Sequence, residues 1–531
     1  MAKKKKINIL QIGRKNWLPE LTLESNVVWE FIEPENIKNF YFEEIEKLEK
    51  TNRKLKEEKK FLKPLRQFNC VIVEDPETCL DIVEMDKMID VYKLVYAEDR
   101  NIPENLQQFY FKKQAKAMNF ENKEQLVKYI ARAFFNGQMG TKLDLSHFSF
   151  SQNKNLAINY EGNSYVHVEG DFGEDFVQLG AWKYNIGNDG NYAFELWPEY
   201  VKLDNNVELK YVLEYIESGS LYNIIETEEY FEKDLTKPIL IDKQYKSYMC
   251  ISVYAKGIGA VKISSVHYRH SHLDEGSMLI GGRRFADKNR QEFIYYFNPG
   301  DLKPPLNVYF SGYRTAEGFE GYWILNTLGA PFILIGDPRL EGGAFYMGSD
   351  EFEQKIYDVI DEHLELLGFD HSQLVLSGLS MGTFGALYHG SKFSPHAIIA
   401  GKPLVNIGDV AHNTKLLRPQ EFGASIDLMR MITGGIAPEN VEKLNVKFWN
   451  SFNNCDLSNT TLAISYMIHD DYDSKAYFDI LKNLKNSRAK VISKGIIGRH
   501  NDNSPAINEW FMNQYTNIMR RDFDRSYEND V

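Results

Sequence analysis

Gln373-Leu374-Val375-Leu376-Ser377-Gly378-Leu379-Ser380-Met381-Gly382-Thr383-Phe384-Gly385-Ala386-Leu387-Tyr388 decides the fold of the C-terminal half. A short apolar run that reads as a buried strand enters Gly378-Leu379-Ser380-Met381-Gly382, and a helical pattern opens at Thr383. Glycines on both sides of a serine let the chain bend sharply between strand and helix, which lifts the serine Oγ clear of the sheet. By composition alone such a pentapeptide turns up in roughly one in six chains of this length. The strand before it and the helix after it are what give it weight.

Outward from that turn, after Pro299-Gly300 and Pro304-Pro305, apolar strands alternate with helical stretches. Strands are predicted at 306–310, 331–335, 373–377, 397–400, 461–468 and 490–497, with helices at 351–367, 383–391, 475–484 and 506–520. Alternation of this kind describes a parallel sheet with crossover helices. Together with the serine turn it predicts an α/β-hydrolase-type domain over residues 296–531.

That fold presents a serine, then an acid, then a histidine, each just past the carboxyl end of a strand. Downstream of Ser380, the strand 461–468 empties into His469-Asp470-Asp471-Tyr472-Asp473, and the strand 490–497 into Gly498-Arg499-His500-Asn501. A serine hydroxyl is a weak nucleophile at neutral pH, so it needs a base within hydrogen-bond reach and a group that orients the base. His500 is the candidate base. Asp470 is the first choice for the acid, with Asp471 next and Asp473 in the same crowd. An oxyanion hole would draw one backbone N–H from Met381 and a second from Gly312 or Tyr313, in the loop after the strand 306–310. Arg314 in that loop is a candidate for holding a substrate anion, with a structural ion pair as the alternative; Arg339 is a further candidate. Segments 317–321 and 337–343 are expected to border the site.

The rest of the chain differs in texture. Residues 136–295 carry many short alternating runs separated by turn signals such as Gly187-Asn188-Asp189-Gly190, as expected for an antiparallel β-sandwich-like domain. Residues 1–135 mix short apolar strands (7–12, 70–73, 92–96) with helical stretches (42–61, 123–135), a small α/β region. The fold class is therefore α/β, with three segments. At 531 residues and 43% apolar content the chain can support more than one core. A net charge of −13 argues against nucleic acid as a partner, because phosphate backbones are held by clustered cations. The basic start Lys3-Lys4-Lys5-Lys6 reads as a solvated terminus, with peripheral contact to an anionic membrane as the minority reading. No apolar run approaches the roughly 20 residues of a bilayer-spanning helix. Cys70, Cys79, Cys250 and Cys455 lack metal-type spacing and fit a reduced, cytoplasmic compartment. His270 and His272 would share a strand face, but no third ligand accompanies them, so no metal is expected.

Several motifs are more specific than the serine turn. Phe297-Asn298-Pro299-Gly300-Asp301-Leu302-Lys303-Pro304-Pro305-Leu306-Asn307-Val308-Tyr309-Phe310-Ser311-Gly312-Tyr313-Arg314, then Gly318-Phe319-Glu320-Gly321, then Asp337-Pro338-Arg339-Leu340-Glu341-Gly342-Gly343-Ala344-Phe345-Tyr346 and the serine segment resemble the second accessory secretory protein family of Gram-positive cocci; Ile7-Asn8-Ile9-Leu10-Gln11-Ile12-Gly13 is similar too. The resemblance implies a cytoplasmic component of an accessory Sec system that exports serine-rich-repeat glycoprotein adhesins. It implies work in a complex with two other accessory secretory proteins and with the accessory Sec motor ATPase. It further implies O-acetyltransferase activity on N-acetylglucosamine of the adhesin, with Ser380, His500 and Asp470 in the catalytic positions. No bound cofactor is implied; the acetyl donor is left open, with acetyl-coenzyme A one candidate. A carbohydrate esterase would use the same groups, and a non-catalytic export adaptor would use none of them.

Overall fold

The computed structural model describes residues 5–151, 156–417, 422–485 and 487–525; Lys3 and Lys4 of the basic start lie outside them. The structure is mixed α/β, with three sheets distributed over two compact units. One unit runs up to Gln138 and takes in Asn191–Ala193 and Ser271–Gly282, two pieces that the sequence reading left in the β-rich segment; the other holds the remainder.

The first unit is built on a five-stranded parallel sheet in the order Val27–Ile32, Ile7–Ile12, Cys70–Val73, Leu94–Ala97, Lys116–Met118. Both faces are covered. Leu10 and Ile12 pack with the helix Ile37–Glu57 side, and Ile7 and Ile9 pack with the helix Lys123–Ala133 side. Burial on both faces explains why Cys70-Val71-Ile72-Val73 is apolar at every position instead of alternating.

In the second unit, the β-rich segment pairs antiparallel, as its alternation predicts. It forms one continuous ten-stranded sheet instead of the expected sandwich of two. The reason is the 25-residue strand Ser247–Ser271, which pairs along its length with Glu208–Glu217, Tyr165–Trp182, Ile186–Asn188 and Gly140–Leu143; register shifts between Ala255 and Ile258 bend it. One curled sheet can thus enclose its own core, in which Val166, Leu213, Tyr215 and Val253 are buried.

The third sheet has eight strands in the order Gly282–Ala286, Glu292–Asn298, Phe332–Gly336, Leu306–Phe310, Leu374–Leu379, Ala397–Gly401, Thr461–Met467, Lys490–Ile496. From Phe332–Gly336 onward the strands run parallel, whereas Glu292–Asn298 pairs antiparallel with Phe332–Gly336. Glu292–Asn298 is interior, with Gly282–Ala286 at the edge, so the sheet takes in residues before the boundary read at 296. Among the described residues no helix is long and apolar enough to cross a membrane.

A buried group of charges ties the long β-strand to this sheet. Alternation along the strand puts His267 and Arg269 on one face, where His267 Nδ1 meets Glu317 at 2.5 Å and Nε2 lies 3.1 Å from Glu199. Arg269 bridges Glu317, at 2.6 Å, and Glu292, which also receives Arg284 at 2.8 Å. Burial works against a charged imidazole, but the carboxylates of Glu317 and Glu199 outweigh it and push the His267 pKa up to about 9. Glu317 belongs to the loop that follows Leu306–Phe310, so the cluster anchors one wall of the site described below.

Removing one partner of such a group leaves the others buried and uncompensated. Arg269→Met is expected to destabilise the unit by about 3–5 kcal/mol, read as a fall in thermal unfolding temperature. The raised His267 pKa contributes stability that is complete below the ordinary imidazole value of about 6.5 and is lost as pH rises through about 9. Unfolding temperature is therefore expected to drop across that window, and His267→Gln to flatten the drop; parallel profiles for the two proteins would rule the cluster out as its cause.

Candidate active site

The turn after Leu374–Leu379 places Ser380 at φ 52°, ψ −119°, a conformation that residues with side chains rarely adopt. Its geometry is imposed from three sides. The Ser380 N–H donates to the Gly401 carbonyl at 2.8 Å, and the Ser380 carbonyl receives the Thr383 N–H at 2.9 Å and the Thr383 hydroxyl at 2.6 Å. The flanking glycines are required by contact: a Cβ on Gly378 would lie 2.2 Å from the Gly382 carbonyl oxygen, and one on Gly382 would lie 2.1 Å from that of Phe310. The helix that follows, Met381–Gly390, is buried at every residue.

Ser380 Oγ lies 2.7 Å from His500 Nε2, and His500 Nδ1 lies 2.8 Å from Asp470 Oδ2. His500 is 1% exposed and Asp470 8% exposed, so the relay is screened from bulk water behind the serine. Asp470 Oδ1 also accepts the N–H groups of Tyr472 (2.9 Å) and Asp473 (3.1 Å). Burial raises the Asp470 pKa, but the hydrogen bond and charge of His500 and the two amides overcome it, and the carboxyl is held below its ordinary range. The three acids that the sequence left in competition have separate positions. Asp471 accepts the backbone N–H of His500 at 3.0 Å. Asp473 accepts the N–H groups of Val405 and Asn406 at 2.9 and 2.7 Å, fastening the segment after Ala397–Gly401. Asp470 bonds the imidazole ring, whose face stacks on Tyr472 at 4.5 Å.

The expected oxyanion donors are only partly available. Met381 opens a helix, where the first N–H groups have no intrahelical acceptor. The Gly312 N–H instead donates to the Glu320 carboxylate at 2.8 Å, so that donor is engaged in this state. Tyr313 lines the cleft and packs on Phe422 at 5.3 Å. Arg314 does not wall the cleft: its guanidinium donates to the carbonyls of Ala316 and Phe319, both at 2.9 Å, closing its own loop. The expected substrate contact is thus replaced by a structural one, though to carbonyls and not to an acid. Arg339 is likewise structural, bonded to Asp337 at 2.8 and 2.7 Å and to Gln291 at 2.9 Å over the face of Phe352.

Ser380 opens into a cleft of about 700 Å³. Its aromatic wall is Tyr313, Phe422 and Tyr472, the last two stacked at 5.5 Å and 6°. Glu320 and Lys402 also line it. The segment 317–321 was expected to border the site, but its two acids diverge, Glu317 into the buried cluster and Glu320 into the cleft. Lys402, Tyr472 and Phe422 carried no motif; only their places just after strand ends or inside the long insertion between the strands read at 397–400 and 461–468 could have marked them. That insertion is helical over Ile407–Leu417, Ala424–Thr433 and Pro438–Asn453, and Phe422 carries it to the cleft. His270 packs edge-on against Phe194, and His272 bonds the Ala133 carbonyl at 2.8 Å. Among the described residues no three His, Cys, Asp or Glu side chains converge as a metal site.

Comparison with known proteins agrees in extent with this whole-chain architecture. An accessory Sec system protein of Staphylococcus aureus is 39% identical over 533 residues, covering 98% of each chain. One from Streptococcus gordonii is 37% identical over 523 residues, 98% of this chain and 99% of the relative. A chain in the solved glycosylation associate protein complex of Streptococcus agalactiae superposes with a TM-score of 0.90 at 37% identity, over 99% of this chain and all of the other. The family model described as accessory Sec system GspB-transporter matches residues 7–525, and the chain belongs to that family.

Proposed function

We propose that the chain is an acyltransferase of the accessory Sec system, moving an acetyl group through Ser380 to a hydroxyl of N-acetylglucosamine on a serine-rich-repeat glycoprotein. The observation that carries the reading is the unbroken line Ser380 Oγ to His500 Nε2 at 2.7 Å and His500 Nδ1 to Asp470 Oδ2 at 2.8 Å, on a strained turn. In this mechanism His500 takes the serine proton as Oγ attacks the acetyl carbonyl, and Asp470 holds the tautomer and the imidazolium that forms. The adduct collapses, the donor's leaving group departing with the proton from His500; the acceptor hydroxyl then attacks the acyl-serine, giving its proton to His500, which returns it to Ser380 Oγ as the acyl–serine bond breaks. The Met381 amide meets the developing oxyanion; the Gly312 amide joins only when Glu320 withdraws.

The second role proposed is that of an export component. The relatives are named for the accessory Sec system, and the solved structure is titled as a glycosylation associate protein complex. That likeness supports work with other accessory secretory proteins; the motor ATPase as a further partner and a cytoplasmic place are proposed from the sequence resemblance. An esterase that releases acetate would use the same residues, so the deciding measurement is of the glycan itself.

Mass spectrometry of the exported adhesin's glycans is expected to show acetylated N-acetylglucosamine with the wild-type chain and none with Ser380→Ala, while export continues. Acetylation that persists in Ser380→Ala would end the enzymatic reading; higher acetylation in the variant would turn it to an esterase. Asp470→Asn should lower kcat by about 10⁴ without loss of fold, because the amide favours the wrong imidazole tautomer; a loss below tenfold would move the acid's role to Asp471. Glu320→Ala frees the Gly312 amide and is expected to raise the hydrolysis of a small activated acetate ester several-fold. An unchanged rate would leave Met381 as the working donor and remove Gly312 from the site.

A further inference from the structure

Lys402 follows the strand Ala397–Gly401 at the carboxyl edge of the catalytic sheet, beside the nucleophile. The preceding carbonyl, of Gly401, accepts the Ser380 N–H at 2.8 Å, and the N–H of Lys402 itself donates to the Ser465 carbonyl on the neighbouring strand at 2.8 Å. Its backbone is left-handed, with φ 60°, a costly conformation for a residue with a side chain. Pinned in this way, the side chain is 8% exposed and walls the cleft into which Ser380 opens.

Glu320 takes the Gly312 N–H, Asp471 takes the His500 N–H, and Asp502 pairs with Arg499, the other cation on the wall. Among the described residues no hydrogen bond or ion pair reaches the Lys402 ammonium; the nearest opposite influence is the charge of Asp470. Burial lowers the Lys402 pKa, and Asp470 opposes that only in part. The Lys402 ammonium is not sealed from the cleft, and it is presented there on a backbone whose conformation is itself costly. The arrangement makes sense with an acceptor that the described residues do not supply.

We propose that Lys402 is a specificity-determining residue of the site, a subsite for an anionic oxygen, phosphate or carboxylate, that the acyl donor carries within a few bonds of its carbonyl. The inference rests on the acyl-transfer reading above. Reach bears on the class: Lys402 follows the carbonyl that holds the Ser380 N–H and lines the same cleft, which favours an anion on the part of the donor near the carbon under attack. An acyl phosphate has its anion there. Acetyl-coenzyme A has a neutral thioester at that point and its phosphates at the far end of a long arm. With an acyl phosphate, Ser380 Oγ bonds to the carbonyl carbon and its proton passes to His500. The bond from that carbon to the phosphate oxygen breaks, with the electron pair leaving on phosphate, whose charge Lys402 meets.

The test begins without chemistry. Inorganic phosphate is titrated by calorimetry into the full chain carrying Ser380→Ala, and binding is expected. Adding Lys402→Met should weaken it by about tenfold or more, and adding Lys402→Arg should keep it within a few-fold. Unchanged affinity in Lys402→Met, or no binding in any of the three with their unfolding temperatures intact, overturns the subsite. With Ser380 restored, Lys402→Met should raise KM for acetyl phosphate and leave that for p-nitrophenyl acetate, which has no anion, unchanged. Equal changes for both overturn the donor role. If phosphate depends on Lys402 while no acyl transfer depends on Ser380, the anion subsite stands and the acyl-transfer reading fails.

Discussion

Everything at the candidate site depends on keeping one residue with a side chain at positive φ. Ser380 holds a conformation whose cost is of order 1–3 kcal/mol, and the turn has no slack of its own to offset it. Stabilisation comes from its surroundings: a central strand bonded on both sides, a helix with no exposed residue, and two glycines whose hydrogens are the only substituents that fit. Gly401 shares in this restraint through its carbonyl, so the strand after the nucleophile fixes the serine backbone and, one residue later, sets Lys402. Strain at the serine and strain at the lysine are therefore two results of one packing arrangement at the carboxyl edge of the sheet.

The acids show how crowding resolves into division of labour. Asp470, Asp471 and Asp473 lie within four consecutive positions, and like charges so close would repel if they shared one environment. Each is given different donors instead: a ring nitrogen with two amides, the His500 backbone amide, and the amides at the start of the helical insertion. For Asp470 these donors win over burial and keep it ionised, as an imidazolium partner must be. For Asp473 burial wins and its pKa rises, which suits a group that holds a segment and faces no cation. A similar logic runs through the His267 cluster, where burial is offset by placing cations between carboxylates.

How much of this could be read from the sequence follows from the range of the interactions. The serine turn, the six parallel strands and the order Ser380, Asp470, His500 are matters of local pattern and strand ends, and they were legible. The choice among three neighbouring aspartates was not, because it turns on which carboxylate faces the ring. Gly312 or Tyr313 was read as the second donor since a glycine after a strand permits close approach, yet Glu320, eight residues on from Gly312, returns to occupy that amide. The ten-stranded sheet was read as two because turn signals mark chain reversals but say nothing of a 25-residue strand that pairs along both edges. Lys402 carried only its place just after a strand end, since its seclusion at the cleft exists only when three strands are aligned.

The engaged Gly312 amide bears on the choice between transfer and hydrolysis. A site open to water that also had both oxyanion donors free would be ready to hydrolyse whatever acyl-enzyme it formed. Here one donor is held by a carboxylate that itself lines the cleft, so full oxyanion stabilisation needs something to draw Glu320 away. A polyhydroxylated acceptor lying against Tyr313, Phe422 and Tyr472 can offer hydroxyl donors to the same carboxylate while presenting another hydroxyl to the serine. Binding of the acceptor and completion of the oxyanion hole would then be a single event, and the preference for a sugar over water would be set by one hydrogen bond that has to be exchanged.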